Sequence, residues 1–229
     1  MKLKTLEDDG EQFDVSVHES DENAPVVLFA VGSGGLPNRY SSLLKVLVNS
    51  GFTVIAPHFE RLVSPYPKEN ELVLRGRRLS LALNAFSQNG AKVAGVGHSI
   101  GASTLLAMAG AGMWLGPEIK INIAPESKLS RLALLSPPTG FFRAPGALDN
   151  VTAPILVWVG SEDDITPLEQ SKWLSQTITS SRPVDLRVTE GAGHFSFMDQ
   201  APPNTIEPLV NKNEFIAQYS REVSKFIAG

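Results

Sequence analysis

Apolar residues fall along this chain in two rhythms. From Gln12 to His18 they alternate with polar ones, which reads as a half-buried strand at the edge of a sheet. Short runs near 26–31, 52–56, 92–97, 131–135 and 154–159 read as further strands, and the continuous apolar run Ile155–Val159 as one buried on both faces of a parallel sheet. Alternation returns at Val184, Leu186 and Val188 for a last strand near 184–189.

Helical spacing fills most of the gaps. Leu72, Leu79 and Leu83 form an apolar stripe on a helix from about Glu69 to Phe86, and Ala102 to Met113 is rich in Ala, Leu and Met. Phe215, Tyr219, Val223 and Phe226 mark a C-terminal helix that packs onto the sheet. Alternating strands and helices, after two early strands, predict an α/β protein: a mainly parallel sheet of about eight strands with helices on both faces. With 229 residues the chain suits one domain, 1–229, and no repeat, low-complexity tract or linker divides it.

Composition narrows the chemistry more than the fold. Cysteine is absent, which removes a thiol nucleophile, a disulfide framework and any thiolate metal site. A net charge of −4 gives no electrostatic reason to expect nucleic acid. Arg75, Arg77 and Arg78 make the sole basic cluster, and they read as a solvated helix face. Met1-Lys2-Leu3-Lys4 leads into Asp8, Asp9 and Glu11 without an apolar stretch, and no segment approaches the ~18 apolar residues of a membrane span. A cytoplasmic protein is expected.

One five-residue pattern carries the chemistry. Gly97-His98-Ser99-Ile100-Gly101 closes an apolar run and opens a small-residue helical one, so Ser99 sits on a strand-to-helix turn. A turn that sharp crowds the positions two before and two after the serine, which is why both are glycine, and it lifts the hydroxyl clear of the sheet. The bare pattern also arises by chance in a chain with many glycines and serines; its strand-to-helix setting is what singles it out.

A serine hydroxyl needs a base, and the base needs an acid to hold its tautomer. Of His18, His58, His98 and His194, the first belongs to the alternating N-terminal strand and the third lies inside the turn. His58 follows the strand 52–56 and could line the site. His194 follows a strand and the flexible Gly191-Ala192-Gly193, and is the candidate base. Between the two, the run Ile155–Val159 ends in Gly160-Ser161-Glu162-Asp163-Asp164, where Asp163 is the preferred acid, Asp164 the reserve and Glu162 a solvated charge. Thr166, Pro167 and Glu169 then read as a helix start, with the threonine as cap. The chain order Ser99, Asp163, His194 differs from the orders in chymotrypsin and subtilisin and agrees with the α/β-hydrolase arrangement.

Acyl chemistry also needs donors for an oxyanion. Ile100 N–H, next after the nucleophile, supplies one; Gly32-Ser33-Gly34-Gly35, at the end of the run 26–31, supplies the second, best from Ser33, while Gly34 could contact the substrate. A phosphate-cradling role for those glycines fails because no Gly-Lys-Ser/Thr follows. Two loops could shape a pocket, one with Trp114 and one with Phe141 and Phe142, and Phe195 could touch an acyl chain. The second loop leaves little room for a cap domain, so the site should be open.

These motifs resemble the α/β-hydrolase superfamily over nearly the whole length. Gly97-His98-Ser99-Ile100-Gly101-Ala102, Gly160-Ser161-Glu162-Asp163 with Pro167, and Gly191-Ala192-Gly193-His194-Phe195-Ser196-Phe197 are similar to the dienelactone-hydrolase-like serine hydrolases of bacteria, a group that also resembles platelet-activating-factor acetylhydrolases. Two departures stand out. Relatives usually carry His-Gly where this chain has Val31-Gly32, and dienelactone hydrolases proper have a cysteine where Ser99 stands. The resemblance implies hydrolysis of a small-molecule ester, or a related acyl compound, with a Ser-His-Asp triad and neither metal nor organic cofactor. Acyl transfer to another acceptor, peroxide included, would use the same triad. A silent binding protein of this fold would have no use for all three side chains.

Overall fold

The computed structural model describes residues 1–64, 66–88, 91–178 and 184–229. Two early strands, β1 (Lys2–Asp8) and β2 (Glu11–His18), form a hairpin around Asp9 and Gly10, at φ of 54° and 82°. Two successive residues with positive φ match the right-handed twist of the flanking strands, and Asp-Gly is the pair best suited to supply them. The hairpin makes β1 the outermost strand. Gln12–His18, expected at the edge, is instead second in the sheet, because β1 covers it in full register from Lys2–Val17 to Asp8–Glu11.

The remaining sheet strands are β3 (Val26–Ala30), β4 (Thr53–Pro57), β5 (Val93–His98), β8 (Leu129–Leu135), β9 (Ile155–Gly160) and β10 (Asp185–Thr189). Their order is β1-β2-β4-β3-β5-β8-β9-β10, antiparallel only at β1–β2 and β2–β4. All five residues of β3 and all six of β9 are buried, as strands sandwiched between helices must be. A small hairpin of β6 (Met113–Leu115) and β7 (Ile119–Ile121) stands apart.

Among the described residues five helices cover the sheet: α1 (Ser41–Asn49), α2 (Glu69–Phe86), α3 (Ile100–Met108), α4 (Leu168–Thr177) and α5 (Lys212–Ala228). The path from β3 through α1 to β4 runs one way along the sheet, and the later crossovers run the other. Right-handed crossover therefore puts α1 on one face and α2, α3 and α4 on the opposite one. Helix α5 packs against α1, with Phe215 and Tyr219 edge-on to Trp158 of β9. Helix α3 is shorter than the run Ala102–Met113 suggested. It stops at Met108 because Gly110, at φ 109°, turns the chain, and Met113 enters β6.

Two of the three arginines expected in solvent are buried. Arg78 reaches back to the first hairpin, Nε to Asp8 Oδ2 at 3.2 Å and Nη2 to Glu11 Oε2 at 2.9 Å, with its guanidinium over Phe13. Arg75 points beneath β3. Amphipathicity locates the stripe of leucines but not which long polar side chains the neighbouring strands will cover.

The parallel strands deliver their C-terminal ends to one rim, where an α/β sheet places its functional loops. Residues 31–36 follow β3, Ser99 follows β5, Ser136 follows β8, residues 161–167 follow β9 and residues 190–198 follow β10. Among the described residues the connection from β8 to β9 contains one short 3-10 turn, Gly140–Phe142, and no helical subdomain.

Candidate active site

Ser99 stands between β5 and α3 with φ 54° and ψ −129°, a region almost confined to glycine. Holding a serine there costs about 1–3 kcal/mol, so the surroundings must impose it. They do so through the backbone: Ser99 N–H donates to Leu135 O at 2.9 Å, and Ser99 O accepts from Ala102 N–H at 2.9 Å. The flanking glycines have steric causes. A Cβ on Gly97 would lie 2.8 Å from Ala102 N, and one on Gly101 only 2.2 Å from Ala30 O. The half-exposed side chain of Ser99 faces two clefts.

His194 opens a 3-10 turn after β10 and is buried with Asp163. Its Nδ1 lies 2.9 Å from Asp163 Oδ2 and 3.1 Å from Oδ1. A carboxylate can only accept from Nδ1–H, which leaves Nε2 as the basic nitrogen. That nitrogen has no hydrogen-bond partner among the described residues, and His194 lines the same cleft as Ser99. The acid loop is tied down in turn. Asp163 Oδ1 accepts from Ile165 N–H at 3.1 Å and Thr166 N–H at 2.7 Å, and Oδ2 accepts from Thr166 Oγ1 at 2.8 Å. Burial works to raise the Asp163 pKa, but the His194 imidazole and the Thr166 amide outweigh it and hold the carboxyl below its ordinary value. Glu162 and Asp164 are exposed.

Thr166 is therefore no helix cap. Its hydroxyl lies against Asp163 and, at 3.1 Å, His194 Nδ1, while α4 starts later, at Leu168, after Pro167. The Thr-Pro-x-Glu spacing is real, yet the nearby carboxylate takes the hydroxyl first.

His98, inside the turn, is buried and bridges two elements: Tyr40 Oη to Nδ1 at 2.8 Å, and Nε2–H to His194 O at 2.9 Å. Burial, with His194 beside it, pushes its pKa down to about 3, so the ring stays neutral. Neither Tyr40 nor this link is visible in the sequence, because it joins residues far apart in the chain.

The oxyanion candidates meet at the same place. Ile100 is the first residue of α3, where an N–H has no intrahelical acceptor. Ser33 is exposed, lines both clefts, and its N–H has no partner among the described residues. A Cβ on Gly32 would lie 3.4 Å from that of Ser99 and 3.1 Å from His98 Nδ1. Glycine there lets the loop approach the turn.

One cleft, of about 190 Å³, has Gly34, Arg39, Arg61 and Phe195 in its walls. The other, of about 530 Å³, is more apolar, with Leu62, Val63, Tyr66, Phe141 and Ile165. Three expected lining residues go elsewhere. His58 Nε2 is taken by Ser16 Oγ at 2.8 Å on β2, Phe142 is turned into the core by its 3-10 turn, and Trp114 lies on β6 under the Lys120 ammonium. Arg61, Val63 and Tyr66 lie in loops without periodicity and Arg39 in the short 3-10 turn Pro37–Tyr40, so no sequence pattern marks them. Among the described residues, no three His, Asp or Glu side chains converge as a metal site, and no helix is long and apolar enough to cross a membrane.

No protein-family model matches the chain, and no curated protein matches its sequence. Solved structures do. An alpha-beta serine hydrolase homologue from Coxiella burnetii superposes with a TM-score of 0.65 at 20% identity, over 97% of this chain and 95% of that one. A thermophilic esterase from the planctomycete Thermogutta terrifontis gives 0.70 at 15%, over 98% and 90%. The thioesterase domain from the curacin biosynthetic pathway gives 0.65 at 13%, over 100% and 99%. At such identities the likeness is one of fold, and it extends over practically all residues: the chain has the α/β-hydrolase fold.

Proposed function

We propose that this protein is a serine hydrolase that cleaves carboxylic esters, or related acyl compounds, through an acyl-serine intermediate. The observation that carries the reading is the buried Asp163–His194 pair, bonded through Nδ1, whose histidine lines one cleft with a serine held at φ 54°. In this reading His194 Nε2 takes the Ser99 proton as the hydroxyl oxygen attacks the acyl carbon. Asp163 holds the imidazole in the productive tautomer and stabilises its cation. Ile100 N–H and Ser33 N–H receive the oxyanion, each worth roughly 3 kcal/mol of barrier. The tetrahedral adduct collapses, His194 gives its proton to the leaving alcohol, and water then repeats the cycle on the acyl-serine.

The apolar cleft suits the acyl group, with Phe141 and Ile165 as its walls. An uncapped rim favours short acyl chains. The likeness to an esterase fold supports this reading by analogy. The test is turnover of p-nitrophenyl acetate together with labelling by a fluorophosphonate. Wild-type protein should do both and Ser99→Ala neither; undiminished turnover by the variant would exclude Ser99.

A further inference from the structure

Arg75 lies directly under the oxyanion loop and has no role in the mechanism above. It is 2% exposed, in the second turn of α2. Its Nη1 donates to Val31 O at 3.1 Å and its Nη2 to Gly32 O at 3.3 Å, while the guanidinium stacks over the Phe59 ring at 4.6 Å. Among the described residues no carboxylate lies within ion-pair distance of it. A buried cation without a counter-ion is costly, and carbonyls together with an aromatic face offset the cost only in part. Burial pulls its pKa down to about 10, which still leaves it charged at neutral pH.

The second of these bonds bears on the site. Gly32 C=O and Ser33 N–H belong to one peptide unit, and in a planar trans peptide the two groups point in opposite directions. The guanidinium and the Gly35 N–H, which donates to the same oxygen at 3.2 Å, together hold the carbonyl and so keep the N–H of that unit pointing the other way. That is the N–H left without a partner beside Ser99. Drawing electron density toward the carbonyl oxygen also makes the same N–H a stronger donor.

We infer that Arg75 is a positioning residue for oxyanion stabilisation: through the Gly32–Ser33 peptide it aims and polarises the Ser33 N–H, and its charge, held in no ion pair among the described residues, favours the anion that forms there. The inference rests on the serine-hydrolase reading above. It assigns a role to a side chain that touches no substrate.

The experiment compares wild type with Arg75→Met, which keeps an unbranched apolar stem without charge or donors, and Arg75→Lys, which keeps the charge but not the fork. The readouts are kcat and KM for p-nitrophenyl acetate, and the ratio of kcat/KM for an oxygen ester over its thionoester. That ratio reports on donors facing an oxyanion, because a thiolate-like sulfur accepts hydrogen bonds poorly. Arg75→Met should lower kcat by about 100-fold with KM within about threefold, and should reduce the oxygen-to-sulfur preference about tenfold. Arg75→Lys should fall between Arg75→Met and wild type.

If Arg75→Met proves too unstable to purify, Arg75→Lys alone decides, with an expected loss of about tenfold in kcat and a lowered ratio. Wild-type kcat and an unchanged ratio in whichever variant folds would overturn the inference while leaving Ser99 in place. A wild-type protein that neither turns over the ester nor is labelled at Ser99 would instead overturn the hydrolase reading, and this inference with it.

Discussion

The ring of His98 donates from Nε2 to the backbone carbonyl of His194 at 2.9 Å. The residue before the proposed nucleophile thus anchors the loop of the proposed base, and Tyr40 completes the link from the other side of the ring. Replacing His98 by Phe keeps the ring but leaves the Tyr40 hydroxyl and the His194 carbonyl without their partner. The expected cost is about 1–3 kcal/mol per orphaned group in urea unfolding, with kcat lowered about tenfold. An unchanged unfolding midpoint would show that the bridge carries no weight.

Asp163→Asn should reduce kcat by about 10⁴, because an amide no longer holds the imidazole in one tautomer, while Glu162→Gln and Asp164→Asn stay within about twofold. The same aspartate has a signature in stability. Its folded-state pKa lies below the ordinary carboxylate value, so its contribution is complete above the unfolded-state pKa and is lost as pH falls through the folded-state one. Urea midpoints measured from pH 7 down to pH 3 should fall more steeply at the acid end for wild type than for Asp163→Asn.

Ser99→Gly should make the protein more stable and inactive. Glycine adopts φ 54° and ψ −129° without steric cost, so relief of strain should raise unfolding stability by about 1 kcal/mol as ester turnover disappears. Ser99→Ala, which keeps the Cβ, should lose activity without that gain. Equal stability in the two variants would mean that the turn is not strained.

Phe141 lines the apolar cleft while its neighbour Phe142 is in the core. Phe141→Ala should lower kcat/KM for a p-nitrophenyl butyrate about tenfold and for the acetate less than about threefold, since only the longer acyl chain reaches the ring. A uniform loss across both esters would place the acyl group elsewhere.

How much of this was legible beforehand differs by residue. Ile155–Val159 could be read as a buried parallel strand because every side chain in it is apolar, and the Gly-x-Ser-x-Gly turn because its glycines have one steric explanation. Asp163 and His194 followed from their places after strands. Local spacing makes Thr166 a helix cap, but a spacing rule knows nothing of a carboxylate three residues back that competes for the hydroxyl. Arg75 and Arg78 are not solvated as their charge suggests, because an arginine on a helix declares its charge but not its direction; Arg78 is covered by the first hairpin and Arg75 by the end of β3. The dienelactone-hydrolase likeness still rests on motifs alone.

The first hairpin has a further bearing on how the molecule behaves in company. It leaves β1 as the last rung of the sheet at that side, with outward amides and carbonyls that offer another chain a template. Lys2, Lys4 and Glu7 are all exposed along that strand. A newcomer would have to strip water from those charges before gaining a single ladder bond, so this border of the sheet, the one opposite β10, is guarded against fibre growth by residues that contribute nothing to its interior.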